Sequence, residues 1–243
     1  MATLPIFYTS QTLLQSTTIA VEEETARHIV QVLRMKTGEA MALTDGKGTR
    51  AEVIIETASK KSCSVFIKHT GYQPPTSPHL ILGVAFTKNA GRNEWLLEKA
   101  TELGVHSIIP ITAERSERVF AKEERWKNIL VSAMLQSQQY HLPHLSSPLS
   151  VVAVLEQYAA CSQKLIAHCE TSLPRLSLYK AMQPAKDTLI LIGPEGDFTE
   201  DEIKAATDAS CAAIDLGKNR LRTETAAMSV CAYFSILNSY THY

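Results

Sequence analysis

Beyond residue 78 the chain repeats one pattern, a short apolar run followed by a longer stretch with apolar residues at helical spacing. The runs are HLILGVAF (79–86), HSIIPIT (106–112), KLIAH (164–168), TLILI (188–192) and AAIDL (212–216). A strand with one face in water alternates apolar and polar residues, so these runs predict strands covered on both faces. A mostly parallel sheet with helices on both sides meets that demand, and the intervening segments supply the helices. NEWLLEKATEL (93–103) is amphipathic and stops at Gly104. Residues 122–139 carry Trp126, Ile129, Leu130, Ala133 and Met134 at helical spacing, and Ser150 precedes VVAVLEQYAA as a cap.

Residues 1–72 follow a different period. RAEVIIE (50–56) and SCSVFIKH (62–69) read as half-buried strands, and LTDGKG (43–48) supplies turn chemistry beside them. One helix, Glu22 to Leu33, carries Ala26, Ile29, Val30 and Leu33 on one face. These pieces predict a small β-barrel. QPPTSP (73–78) reads as a linker to a larger α/β domain over 79–243, and 45% apolar content in 243 residues suffices for real cores.

Composition excludes several classes. The net charge of −1 does not advertise nucleic acid, so any basic surface must be local. The five cysteines are odd in number and lack a Cys-x-x-Cys pair, as expected for reduced thiols in a cytoplasmic protein. No apolar stretch approaches the roughly 18 residues of a membrane span. His168 and Cys169 are adjacent, but no third ligand has suitable spacing, so no metal is expected.

Two strand ends carry the chemistry. LILIGPEGDFTEDEI (189–203) runs from a buried strand through Gly193, Pro194, Glu195 and Gly196 into an acidic helix start, where Thr199 and Glu202 form a capping box. AAIDLGKNRLRTETAAMSV (212–230) runs through Gly217 and a basic loop into a helix that Thr223 or Thr225 can cap. Ligands of open parallel sheets collect beyond such carboxyl ends, and one acidic and one basic loop can enclose a ligand bearing both charges. The acidic entry repels phosphate, and no phosphate-binding glycine motif is present, which disfavours a nucleotide-phosphate enzyme.

GPEGDFT-x-x-E-I followed by LG-x-x-x-LRTETA resembles the ribosomal RNA small-subunit methyltransferase E family, uridine-N3 methyltransferases of the SPOUT superfamily. The resemblance spans the chain, through HIVQVLR (28–34), Gly38, Asp45-Gly46, Lys88, Arg92, EKATELGV (98–105), Glu114-Arg115-Ser116, ERW (124–126) and Gln136-Ser137. It implies an N-terminal PUA-like β-barrel that grips RNA, a C-terminal SPOUT α/β domain with a trefoil knot, and a homodimer. The implied substrate is a uridine near the decoding region of 16S rRNA in the small ribosomal subunit.

S-adenosylmethionine would sit among three loops, 167–170, 192–196 and 216–226, with His168, Ile192, Gly193, Pro194, Glu195, Gly196, Leu216, Gly217, Leu221, Thr225 and Ala226 as cofactor contacts. Expected RNA contacts are His28, Arg34 and Lys36 in the barrel and Lys88, Arg92, Arg115 and Arg118 in the larger part, with solvated ion pairs as the competing explanation. Arg222 is the candidate to stabilise charge on the uridine carbonyl oxygens, and proton removal falls to solvent or to a carboxylate, Glu224 or Glu195. The chain departs from the family pattern at Asp197, where many members have glycine, at Asn219-Arg220, where an arginine is displaced by one position, and at Pro5, where an arginine is common. A subset of the family carries the aspartate; the departures at Pro5 and Asn219, with the near-neutral charge, motivate the alternative of an RNA-binding module of this fold without catalysis.

Overall fold

The computed structural model describes residues 4–59, 62–116, 123–170 and 173–239, which fall into two compact units. One runs to Pro75 and takes in Met134–Leu142; the other comprises Thr76–Ala133 and the chain from Pro143 onward. The division falls inside the 73–78 stretch, but the sequence reading placed 134–142 in the larger part. Backbone hydrogen bonds invisible to local pattern explain the difference. Gly48 N donates to Tyr140 O at 2.8 Å and Leu142 N to Gly46 O at 2.8 Å, while His141 Nε2 donates to Gln73 O at 2.7 Å. Gly48 has φ +98°, and a Cβ there would stand 2.5 Å from Gln73 O, so only glycine fits.

The first unit holds β1 (Ile6–Tyr8), β2 (Thr18–Ala20), α1 (Glu23–Arg27), β3 (Ala40–Thr44), β4 (Thr49–Ala58) and β5 (Cys63–Tyr72). Their sheet order is β1-β3-β4-β5-β2, with β1 and β3 parallel and the other pairs antiparallel. Alternation along β4 and β5 turns Val53, Ile55, Val65 and Ile67 inward onto Met41, Leu43, Ala26 and Ile29. Leu33 does not join them: it is 45% exposed. The predicted helix leaves 3.6 periodicity at His28–Val32, a π-helical turn closed by Leu33 N to His28 O, and the wider turn swings Leu33 off the buried face.

The second unit is built on an eight-stranded sheet containing β6 (Leu80–Val84), β7 (Ser107–Thr112), β8 (His144–Leu145), β9 (Leu149–Ser150), β10 (Gln163–Ala167), β11 (Leu176–Ser177), β12 (Thr188–Ile192) and β13 (Ala212–Asp215). The main order is β11-β13-β10-β12-β6-β7-β8, every pairing is parallel, and β9 pairs with β7. Five of these are the apolar runs read from the sequence. Helices α2 (Ala90–Glu102), α3 (Glu123–Gln136), α4 (Val151–Gln157), α5 (Leu178–Ala181), α6 (Glu200–Asp208) and α7 (Thr223–Ser239) complete the unit's elements, the last turn of α3 lying within the segment grouped with the first unit.

Ile81, Ile109, Ile111, Leu189 and Leu191 form one core with Val154 and Leu155 of α4 and Ile203 and Ala206 of α6. Alternate residues of the same strands point the other way, toward the side where α7 packs on β6, β12 and α2. Each such buried Leu or Ile contributes about 1.5–3 kcal/mol relative to exposure, so the sheet is anchored on both faces and its strand ends are held rigidly. Ser150 Oγ accepts from Ala153 N at 3.2 Å and caps α4.

Candidate functional site

The register of the sheet brings three strand ends together. Ala167 at the end of β10 lies opposite Ile192 of β12 on one side and Ile214 of β13 on the other. Their following loops surround a cavity of about 500 Å3, within the range typical of small-molecule and cofactor sites.

The loop after β12 is the most firmly built. Asp197 N donates to Pro194 O at 3.0 Å, which closes the Gly-Pro-Glu-Gly corner. The predicted capping box is present: Glu202 Oε2 accepts from Thr199 N at 2.9 Å, and Thr199 Oγ1 accepts from Glu202 N at 3.3 Å. Glu202 Oε1 also accepts from Glu114 N at 2.9 Å, and Arg115 Nη1 donates to Gly196 O at 3.1 Å, so the segment after β7 braces the corner. From the third loop, Arg220 Nη2 donates to Glu195 O at 3.0 Å, and Thr223 Oγ1 donates to Gly193 O at 3.1 Å. Thr223, expected as a cap of the last helix, is instead its first residue, and its hydroxyl is committed to this cross-loop bond. Thr225 lies inside α7, two residues beyond its start.

Of the residues expected around a cofactor, His168, Ile192, Gly193, Pro194, Glu195, Leu216, Gly217, Leu221 and Ala226 line the cavity together with Arg222. Gly196 lines an adjoining cavity of about 380 Å3, and Thr225 and Glu224 line neither. The adjoining cavity shares Arg92, Pro194 and Glu195 with the first and adds Phe86, Thr87, Lys88, Asn89 and Arg115. Two of the expected RNA contacts therefore have structural partners: Arg115 braces the corner, and Arg92 contacts Glu195 at 3.4 Å and Glu224 at 3.5 Å. Lys88 is exposed at the second cavity. His28, Arg34 and Lys36 are exposed on the first unit, while Arg118 lies outside the described residues.

The cavity carries both signs of charge, with Arg92, Arg175, Arg220 and Arg222 facing Glu195, Asp197 and Asp215. Among the described residues, buried side-chain atoms of two groups here lack hydrogen-bond partners. His168 is 5% exposed and neither ring nitrogen is hydrogen bonded, and Glu224 Oε2 is likewise unpaired. Burial pushes the His168 imidazole below its ordinary pKa, against the pull of Asp197, and so favours the neutral ring. Local pattern did not single out Arg175, because what places it is contact across loops. Among the described residues no group of His, Cys, Asp and Glu is arranged to hold a metal ion, and no helix is long and apolar enough to cross a membrane.

Cys169 offers a chemical probe of this wall. It is exposed and lines the cavity, whereas burial pushes Cys211 up to about 11 and Cys231 up to about 12, which leaves almost no thiolate at neutral pH. Alkylation followed by peptide mass spectrometry is expected to modify Cys169 well before Cys211 and Cys231, and a ligand filling the cavity to slow that reaction. Equal labelling of Cys231 in the folded protein would refute this arrangement.

A parallel sheet with a ligand cavity at its strand ends, joined to a small sheet unit, is the architecture of an RNA methyltransferase with a PUA domain. Residues 74–235 match the RNA methyltransferase domain family, and residues 21–68 match the RNA methyltransferase PUA domain family. Ribosomal RNA small subunit methyltransferase E of Mycobacterium bovis is 31% identical over 229 residues, covering 90% of this chain and 86% of the relative. Among solved structures, a probable rRNA-methyltransferase from Porphyromonas gingivalis superposes with a TM-score of 0.90 at 36% identity, over 97% of this chain and 99% of that one. A ribosomal RNA small subunit methyltransferase E from Neisseria gonorrhoeae, bound to S-adenosyl methionine, gives 0.83 at 29% identity, over 97% and 98%. The chain belongs to the ribosomal RNA small subunit methyltransferase E family.

Proposed function

We propose that the protein transfers a methyl group from S-adenosylmethionine to N3 of a uridine in the decoding region of 16S rRNA. The observation that carries this reading is the cavity of about 500 Å3 at three adjacent strand ends, where arginines, carboxylates and the unpaired His168 meet. A donor with a positively charged sulfur, an amino-acid carboxylate and a nucleoside suits such a mixed wall. Glu195 and Asp215 favour its cationic parts, Arg175 and Arg220 its carboxylate, and His168 offers ring nitrogens to polar atoms of the nucleoside. When bound, that donor supplies an electrophilic methyl carbon.

The second cavity is the natural place for the acceptor, because it meets the first at Arg92, Pro194 and Glu195. N3 is hidden in a paired base, so the uridine must be unpaired or flipped to enter. As N3 loses its proton, charge spreads onto both ring carbonyl oxygens. Arg222 makes no ion pair among the described residues, which leaves its donors free for those oxygens. Of the two carboxylates, Glu195 lines both cavities and is the nearer candidate to receive the proton, while Glu224 holds Arg92. His28, Arg34 and Lys36 on the first unit and Lys88 beside the second cavity are proposed phosphate contacts.

The same reading carries a cytoplasmic homodimer with a trefoil knot. Exposed Leu176, Tyr179 and Ile236 are consistent with self-association, which light scattering of the purified protein tests. For the reaction, rRNA from cells lacking the gene is digested and analysed by mass spectrometry. Loss of N3-methyluridine from the small-subunit RNA, restored by the wild-type gene, is expected. An unchanged signal would leave an RNA-binding protein without this activity.

A further inference from the structure

Asp197 occupies a backbone conformation that its side chain must justify. Its φ is +63°, in the left-handed region that glycine adopts freely and an L-residue adopts at a cost. Both carboxylate oxygens are committed. Oδ1 accepts from Phe198 N at 2.9 Å, within its own turn. Oδ2 accepts from Cys169 N at 2.7 Å, a residue 28 positions earlier, in the loop after β10. That second bond ties the loop after β10 to the corner after β12.

The residue held this way adjoins His168. On the other side, Arg175 Nη1 donates to the carbonyl of His168 at 2.7 Å, so the His168–Cys169 segment is fixed both from the β12 corner and from the chain beyond it. The side chain of His168 takes no part in either bond, and its two ring nitrogens stay unpaired although the residue is 5% exposed. The backbone is thus anchored while the imidazole is left for a ligand. The β12 corner is itself tied to the third loop by the bonds from Thr223 to Gly193 O and from Arg220 to Glu195 O. Asp197 is the side chain that links the first loop into this set.

We propose that Asp197 is a positioning residue, a latch that holds the His168 wall of the cavity in its binding-ready form before the methyl donor arrives. The proposal rests on the reading of this cavity as the S-adenosylmethionine site. A wall built in advance spares the ligand the entropy of ordering it, so removing the latch weakens binding.

Asp197→Gly provides the test, because glycine relaxes the backbone while deleting both side-chain bonds. Calorimetry with S-adenosylmethionine is expected to show an affinity about tenfold weaker, the size expected for one charge-assisted hydrogen bond. The KM for the donor rises correspondingly, while kcat at saturating donor stays close to that of the wild type. Amide exchange of Cys169, followed without any ligand, accelerates. Asp197→Asn keeps one acceptor oxygen and is expected to lie between the two; it also serves should the glycine variant fail to fold. Unchanged donor affinity and unchanged Cys169 exchange in a folded Asp197→Gly protein would overturn the latch and confine the aspartate to its own turn. Failure of the wild type itself to bind S-adenosylmethionine would instead defeat the cofactor reading, and the exchange measurement would still decide whether the latch exists.

Discussion

Arg222→Ala is expected to lower the rate of methyl transfer at saturating donor by about two to three orders of magnitude, the range seen when one donor to a developing oxyanion is removed. The loss should fall on turnover, because the Arg222 side chain is exposed and makes no ion pair among the described residues. The thermal midpoint and donor affinity of the variant are expected to stay near those of the wild type. Arg222→Lys restores the charge but not the planar fork, so it recovers only part of the rate if two adjacent oxygens are being read. Single-turnover assays on small-subunit RNA lacking the modification measure these differences. Wild-type turnover in Arg222→Ala would remove the residue from the mechanism and leave it a solvated cation.

The largest effect on stability is expected at the centre of the parallel sheet. Leu191 is fully buried on β12, and a Cβ added to Gly83 on the neighbouring β6 would lie 2.8 Å from its Cδ2. Leu191→Ala leaves a void and should cost about 2–5 kcal/mol. Gly83→Ala brings a methyl group against the far end of the Leu191 side chain, which must shift within the core, and should cost about 1 kcal/mol. Combined, the small residue makes space for the large one, so the double variant is expected to be more stable than the sum of the two losses predicts. Urea denaturation of the four proteins measures the coupling, and strict additivity would show that the two positions do not share the space.

The sheet was legible because its information is local. Runs such as TLILI and HSIIPIT announce strands buried on two faces, and the Thr199-x-x-Glu202 spacing announces a helix start that the structure contains. The cavity was legible in part, since strand-end glycines mark where ligands collect. What local pattern could not supply was pairing at a distance. Arg92 read as an RNA contact or a solvated charge, and local pattern could not show its partners Glu195 and Glu224, 103 residues away in the first case. Thr223 read as a cap, yet Gly193 O claims its hydroxyl. Leu33 read as core, because helical spacing was extrapolated through a turn that is π-helical. Asp197 read as a departure from the glycine pattern and an acid before a helix start, and its bonds to Phe198 N and Cys169 N give the aspartate a further task.

The clasp formed by Tyr140, His141 and Leu142 on the turn at Gly46 and Gly48 has a consequence for synthesis. The N-terminal unit is discontinuous, so nearly the first 75 residues can leave the ribosome and still lack the segment that completes them. That unit closes only after residue 142 has emerged, by which point β6, α2 and β7 of the other unit have already been made. Translation of this chain therefore delivers β6, α2 and β7 of the second unit before the last segment of the first.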